Sequence, residues 1–326
     1  MTVAISILFD APYIEPALLT AYEMAGREDF IHHVYLIYLV GNNAEDAESS
    51  AILSRFCEKF DSEKIRFSAI KLSDSFTKFS ALHFNNTIIY KLLIPQLIQG
   101  EKYIMNIDAG LLPGDRFNPF LDHVNAHYCV ANPGDWVMAA HCHHPEGRLP
   151  AALGSEAHHR LYPAGNILLF NCEQYAHRNW YDRLSANFLK FGPHLVYAEQ
   201  ELACLSAKED ELIALPGADD RTTPFLGLDC LQGTAPLWPD SCDRDCLFFK
   251  IVGSVKPWKY WVLDPNKVIY TRRRAALEAE FTLSGLDALE RHRTSALPSQ
   301  TDWPTAFMRA YDTYLLNNRP ALPIKR

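Results

Sequence analysis

The chain has 326 residues, which at roughly 150 residues per domain allows about two domains, or one large α/β domain with additions. Hydrophobic residues make up 48% and charged residues 21%, so a disordered tail protein and a fibrous repeat are excluded. The net charge of −8 argues against a nucleic-acid partner, which calls for a basic excess.

No apolar run approaches the ~20 residues that span a bilayer. The opening stretch lacks a basic n-region and meets Asp10 and Pro12 at once, which predicts a buried strand and not a signal peptide. That strand, Val3 to Phe9, is continuously apolar, as expected where both faces of a parallel sheet are covered. A helix is predicted over 15–27 and a second buried strand over 34–40, ended by Gly41-Asn42-Asn43. A helix over 46–60, a strand over 65–72, an apolar helix over 87–98 containing Pro95 and a strand over 103–107 follow. This alternation predicts a mostly parallel, doubly wound sheet flanked by helices, whose ligand sits at the carboxyl ends of the strands. Phe9-Asp10 and Asp108 fall at that edge. Glycine-rich dinucleotide and P-loop motifs are absent from the sequence.

The second half reads as a strand over 166–171, helices over 173–189 and 199–207, a Pro-, Gly-, Asp- and Cys-rich loop over 216–245 and a strand over 247–252. Helical sequence follows, with the basic run Arg272-Arg273-Arg274. The eight cysteines are scattered and are expected to be reduced thiols.

Five stretches in fixed order resemble one family. These are Ile7-Leu8-Phe9-Asp10; Tyr90-Lys91-Leu92-Leu93-Ile94-Pro95-Gln96-Leu97; Lys102 to Gly110; Ala164-Gly165-Asn166-Ile167-Leu168-Leu169-Phe170-Asn171; and Gly253-Ser254-Val255-Lys256-Pro257-Trp258. The sequence is similar to glycosyltransferase family 8, retaining transferases of GT-A fold that mostly use UDP-sugars. The Gly-x-x-Lys-Pro-Trp ending is the most specific piece, and the resemblance covers roughly residues 3 to 260. It implies an α/β GT-A fold over residues 1–262, with a helical extension over 263–326.

In that family the two aspartates of Asp-x-Asp and a histidine hold a Mn²⁺ that neutralises the donor diphosphate. Here Asp108 keeps the first position, while Gly110 stands at the second and Lys250 at the histidine position. A protonated lysine offers no lone pair to a metal, but it neutralises phosphate directly. Lys250 and Lys256 would therefore supply charge the ion would have given, and no cofactor is expected. Should Mn²⁺ or Mg²⁺ be used, Asp108 is its expected ligand. The plainer reading of Lys250 is a solvated strand-end lysine, and that of Asp108 a cap for the turn at Gly110 to Gly114.

The resemblance further implies donor binding by Phe9, Asp10, Lys91, Asp108, Gly110, Asn166, Gly253 and Lys256, with Glu199, Gln200, Asp135 and Lys250 acting at the reacting centre. Glu199-Gln200-Glu201 stands where the family has Asp-Gln-Asp, and reads equally as acidic first-turn chemistry of a helix. Asp135 is either a sugar-binding carboxylate or an Asx-turn residue after Pro133-Gly134. Lys91 replaces an arginine and loses its bidentate fork. His141-Cys142-His143-His144 and Cys242/Cys246 lack the paired spacing of a structural zinc site. The histidines suit the acceptor rim of the cleft instead, and no nucleophile elbow of a hydrolase occurs.

The expected activity is transfer of a hexose, with retention, from a nucleotide-diphosphate sugar to a hydroxyl of a glycan or glycolipid, without a divalent ion. Two alternatives stay open: a catalytically silent nucleotide-sugar-binding module, and a metal-dependent transferase using Asp108 with another carboxylate such as Asp135. The expected location is cytoplasmic. The stretch from Trp303 to Leu316 has helical apolar spacing near Arg309 and Arg319. It is either a helix packed on the domain or a peripheral contact with the inner face of a membrane.

Overall fold

The computed structural model describes residues 2–40, 45–72, 87–130, 134–143, 161–192, 195, 199–215, 225–226, 247–251 and 267–283. The strands are β1 (Val3–Asp10), β2 (Ile31–Leu39), β3 (Arg66–Leu72), β4 (Tyr103–Ile107), β5 (Leu112–Pro113), β6 (Met138–His143), β7 (Tyr162–Asn171), β8 (Leu212–Ala214), β9 (Phe225–Leu226) and β10 (Phe248–Ile251). The helices are α1 (Ile14–Ala25), α2 (Glu45–Phe60), α3 (Thr87–Tyr90), α4 (Ile94–Leu97), α5 (Phe117–Val124), α6 (Cys172–His177), α7 (Trp180–Phe191), α8 (Glu199–Ser206) and α9 (Lys267–Glu280).

Seven strands form the main sheet in the order β3-β2-β1-β4-β7-β6-β8, and β5-β10-β9 form a smaller one. The sheet is mostly parallel and flanked by helices, as expected, with one reversed strand. β7 runs antiparallel to both of its neighbours, β4 and β6, while the other pairings in this sheet are parallel. Hydrophobic patterning could not reveal this, because a strand buried on both faces looks the same in either direction.

The apolar runs are split by the pleat between two cores. Val3, Ile5, Ile7 and Phe9 of β1 face the layer that holds Leu18 of α1, Phe56 of α2, Leu121 of α5 and Leu277 of α9. Ala4 and Leu8 face the opposite layer, with Leu93, Tyr175, Trp180, Leu184 and Leu202. At roughly 1.5–3 kcal/mol for each large buried side chain, these two layers drive the assembly.

Two helices expected to be continuous are interrupted. Residues 87–98 form α3, a 3₁₀ turn over Lys91–Leu93, and α4. Pro95 has no N–H, and its ring crowds the carbonyl four residues back, at Lys91. The Tyr175 hydroxyl donates to the Leu92 carbonyl at this break, at 3.0 Å. The helix expected over 173–189 breaks at Asn179, which adopts φ 51°, a left-handed conformation that asparagine tolerates. The break turns the chain so that Trp180 is fully buried.

α9 lies along α1. Tyr270 donates to Glu15 at 3.0 Å, Arg274 pairs with Glu15 at 2.9 Å and Arg273 with Glu23 at 2.8 Å. Two arginines of the basic run thus bind acidic groups of α1. Phe281 packs edge-on against Phe56. Among the described residues no helix is long and apolar enough to cross a membrane. The stretch 303–316 and most of the loop 216–245 lie outside the described residues.

Candidate active site

The carboxyl edge of β1 and β4 is where chemistry-bearing residues gather. Asp108 follows β4 directly, and its amide donates to the Asn166 carbonyl of β7 at 3.1 Å. Because β7 is reversed, its first residues and not its last ones border this edge, which brings in Gly165 and Asn166. Asp10 ends β1 and leads into the 3₁₀ turn Ala11–Tyr13. Burial, then the charges of Asp10 and Asp108, raise the Tyr13 phenol above its ordinary pKa, with Lys91 opposing. These four groups therefore share one electrostatic environment.

Lys91 projects into it from the helix break. Its ammonium donates to Asp108 Oδ1 and, at 3.2 Å, to the Gly165 carbonyl, and the residue is only 8% exposed. Burial pulls a lysine's pKa down, but Asp108 and Glu199 more than offset that and raise it. Lys91 is thus a cation that answers Asp108, a partnership that the sequence alone did not reveal.

Glu199 begins α8 and is buried. Burial pushes its carboxyl up to about 7, against the attraction of Lys91 and a hydrogen bond from Gln200, with Asp108 adding to the rise. It lies against Gly165. A Cβ at position 165 would run into Glu199 Oε1 and sit 3.2 Å from Cδ. A glycine inside a strand signals such a close approach, and this sign in the sequence could have paired the two residues. Gly165→Ala is expected to cost about 1–3 kcal/mol, the range for overpacking. Most of that cost should vanish in a Glu199→Ala background, which denaturant unfolding of the double-mutant cycle would reveal. An equal cost in both backgrounds would dissociate Gly165 from Glu199.

Several expected site residues stand elsewhere. Phe9 is 1% exposed and packs on Tyr38 with ring centroids 5.8 Å apart, so its side chain belongs to the core and not to a ligand. Asp135 precedes β6 at the sheet's opposite edge, where Met138 pairs with Phe170 near the end of β7. It meets Arg178 at 3.3 Å and is 73% exposed. Asp135 therefore does not join Asp108, and the two do not form a shared metal site. The same opposite edge carries Glu101, which accepts from Tyr35 at 2.7 Å and pairs with His32 at 2.8 Å.

Gly110 is a turn residue. The Leu111 amide donates to the Asp108 carbonyl at 3.2 Å, and Gly110 has φ 82° at the third turn position, where glycine is favoured. Its own amide donates to Thr20 Oγ1 at 2.9 Å. Lys250 lies in β10, whose Phe249 pairs with Leu112. Lys250 follows that pair directly and is itself matched with Phe225 of β9. Gly253 and Lys256 lie outside the described residues, as do His144, Cys242 and Cys246. His141 is buried on β6 opposite Ala164, at the same edge as Asp108.

The Mn²⁺ site implied by the family resemblance does not fit these residues. Asp108 is engaged by Lys91, position 110 carries no side-chain ligand and sits in a left-handed turn, and position 250 is a lysine. Among the described residues no group of three potential metal ligands occurs, and the described cysteines, Cys57, Cys129, Cys172 and Cys204, are free thiols.

No family model matches the sequence, and no curated protein matches it. Solved structures do resemble the fold. The galactosyltransferase LgtC, solved with donor and acceptor sugar analogues, superposes with a TM-score of 0.57 at 15% identity, covering 86% of this chain and 100% of that one. The glycosyltransferase GlyE of Streptococcus pneumoniae TIGR4 gives 0.55 at 14% identity, covering 92% of this chain and 66% of its own. The bifunctional glycosyltransferase WbbM gives 0.57 at 15% identity, over 90% of this chain and 51% of its own. The mostly parallel, helix-flanked sheet is therefore the GT-A fold of these glycosyltransferases.

Proposed function

We propose that this chain is a retaining glycosyltransferase that moves a hexose from a nucleotide-diphosphate sugar, UDP-sugar foremost, to a hydroxyl of a glycan or glycolipid. The observation that carries the reading is the gathering of Asp10, Lys91, Asp108, Glu199 and Gln200 at the carboxyl edge of a GT-A sheet, where ligands of such sheets bind. LgtC was solved with sugar analogues of both substrates, and also as an active-site glutamine-to-glutamate mutant. That chemistry suits the Glu199-Gln200 pair here.

With no strong nucleophile assigned, retention suits attack by the acceptor hydroxyl on the face of the departing phosphate, which takes its proton. The C1–phosphate bond breaks as the new C1–oxygen bond forms, and the nucleoside diphosphate leaves. The protein then orients both substrates and neutralises the leaving group. Lys250 and Lys256 are the cations proposed for that work, in place of a divalent ion. Asp108 and Glu199 hold hydroxyls of the donor, the first as a carboxylate and the second able to donate when protonated.

The test is a panel of nucleotide sugars, with donor binding and donor hydrolysis both measured, with and without EDTA. At least one nucleoside diphosphate should bind in the micromolar range, about −8 kcal/mol, and its sugar conjugate should turn over in EDTA. Binding without turnover on any donor would replace the transferase by a silent binding module. Absence of binding to UDP, GDP and CMP would defeat both readings.

A further inference from the structure

We infer that His123 and His127 form a surface site for one divalent transition-metal ion of the zinc and copper class. The two residues lie four apart, at the end of α5 and in the π-helical turn that continues it over Asn125–Val130. In an α-helix, position i+4 overshoots a full turn by about 40°. A wider turn takes that overshoot back, so His127 comes almost directly over His123. The two rings stand with centroids 4.2 Å apart and planes tilted by 33°. This His-x-x-x-His spacing on one helical face is the pairing that the run from His141 to His144 lacks.

The packing of α5 leaves the pair available. Phe117, Phe120, Leu121 and Val124 turn the apolar face of the helix into the core, while His123 and His127 stay exposed. Among the described residues the rings meet only other rings, each other and, for His123, Tyr128 at 6.3 Å. A neutral imidazole has one lone pair in its ring plane. Two metal–nitrogen bonds of about 2.0–2.1 Å set the bound nitrogens at most about 4 Å apart. Rings this close reach that span by rotating, which exposed side chains do freely. Imidazole suits Zn²⁺, Cu²⁺ and Ni²⁺, whereas Mg²⁺ and Ca²⁺ call for oxygen ligands. The carbonyl end of a helix further favours a cation. With two protein ligands, water completes the coordination of the ion.

The inference does not depend on the proposed transfer and is tested without a sugar nucleotide. Cu²⁺, Zn²⁺ and Mg²⁺ are titrated separately into the full chain, His123→Ala, His127→Ala and the double variant. The readouts are the nitrogen splitting in the paramagnetic resonance of bound Cu²⁺ and the ion-dependent rise in Tm. The chain has 13 histidines, so the difference between native chain and variants is what counts. Both positions are exposed, so the substitutions leave the fold intact. Losing a group that merely orients a metal ligand costs about 10–100-fold in affinity, so losing a ligand itself should weaken the site at least tenfold. Each single variant should show that loss, and the double variant no more than either. Cu²⁺ should bind more tightly than Zn²⁺, and Mg²⁺ should have no effect. Equal Cu²⁺ uptake by the native chain and both single variants would overturn the inference, as would a loss confined to one of them.

Discussion

At pH 8 the Glu199→Gln variant is expected to be about 3 kcal/mol more stable than the native chain, with the gap closing below pH 4.5. Glu199 takes its proton at about 7 in the folded protein, against 4.5 for an ordinary glutamate, because burial disfavours its charge. Between those values the folded chain holds a proton that the unfolded chain releases. Stability therefore falls as pH rises through this window and levels off above about 7, the reverse of a salt-bridged carboxylate. At 1.36 kcal/mol per unit the full penalty is about 3 kcal/mol. Glutamine keeps the shape and removes the charge, so the variant escapes it. Urea unfolding of both proteins at pH 4, 6 and 8 measures the effect. A gap independent of pH would mean that Glu199 ionises in the fold as it does in water.

Lys250→Ala is expected to lower turnover by about 10²–10³-fold, the usual loss for one preorganised donor to a developing oxyanion. The expectation rests on the proposed function, and on β10 pairing its Phe249 with Leu112, in the segment that follows Asp108. Transfer by the native chain should survive EDTA, and Mn²⁺ should not rescue the variant. At about 4 kcal/mol for unit charges 4 Å apart at an effective dielectric of ~20, one ammonium can account for the loss. Transfer abolished by EDTA, together with a nearly unaffected Lys250→Ala, would return the lysine to the surface and put a metal in its place.

Much of the fold was legible because local chemistry decides it. β1 to β4 announce themselves as short apolar runs separated by helical patterns, and the observed bounds differ from the expected ones by a few residues. The direction of β7 was not legible, since pairing partners far along the chain set it. The breaks at Pro95 and Asn179 were half legible. Proline signals one by its missing N–H, but an asparagine with positive φ needs the packing of Trp180 to fix it. Motif order marks Asp108, Glu199 and Gln200 as candidates near one edge but not what each touches. Asp135 shows the limit. Its spacing from Asp108 matched, yet the chain between them crosses to the opposite edge of the sheet. The Lys91–Asp108 pair was not legible, because motif order sets each residue against a ligand and not against the other.

The seam between α1 and α9 places a constraint on the order of events during synthesis. Tyr270 and Glu15 are 255 positions apart, so on an elongating chain one partner waits for the other. At about 5–20 residues per second the interval is roughly 13–50 s. Closing a loop of that length costs about 5 kcal/mol by the logarithmic rule, which only a largely formed sheet can hold down. Until Phe281 arrives, Phe56 and Phe60 on α2 lack the ring that packs against both of them. The nascent domain thus carries an aromatic face without its cover for most of its time on the ribosome. A chain cut short of residue 267 would keep that face open for good and would be recognised as unfinished by whatever binds exposed rings.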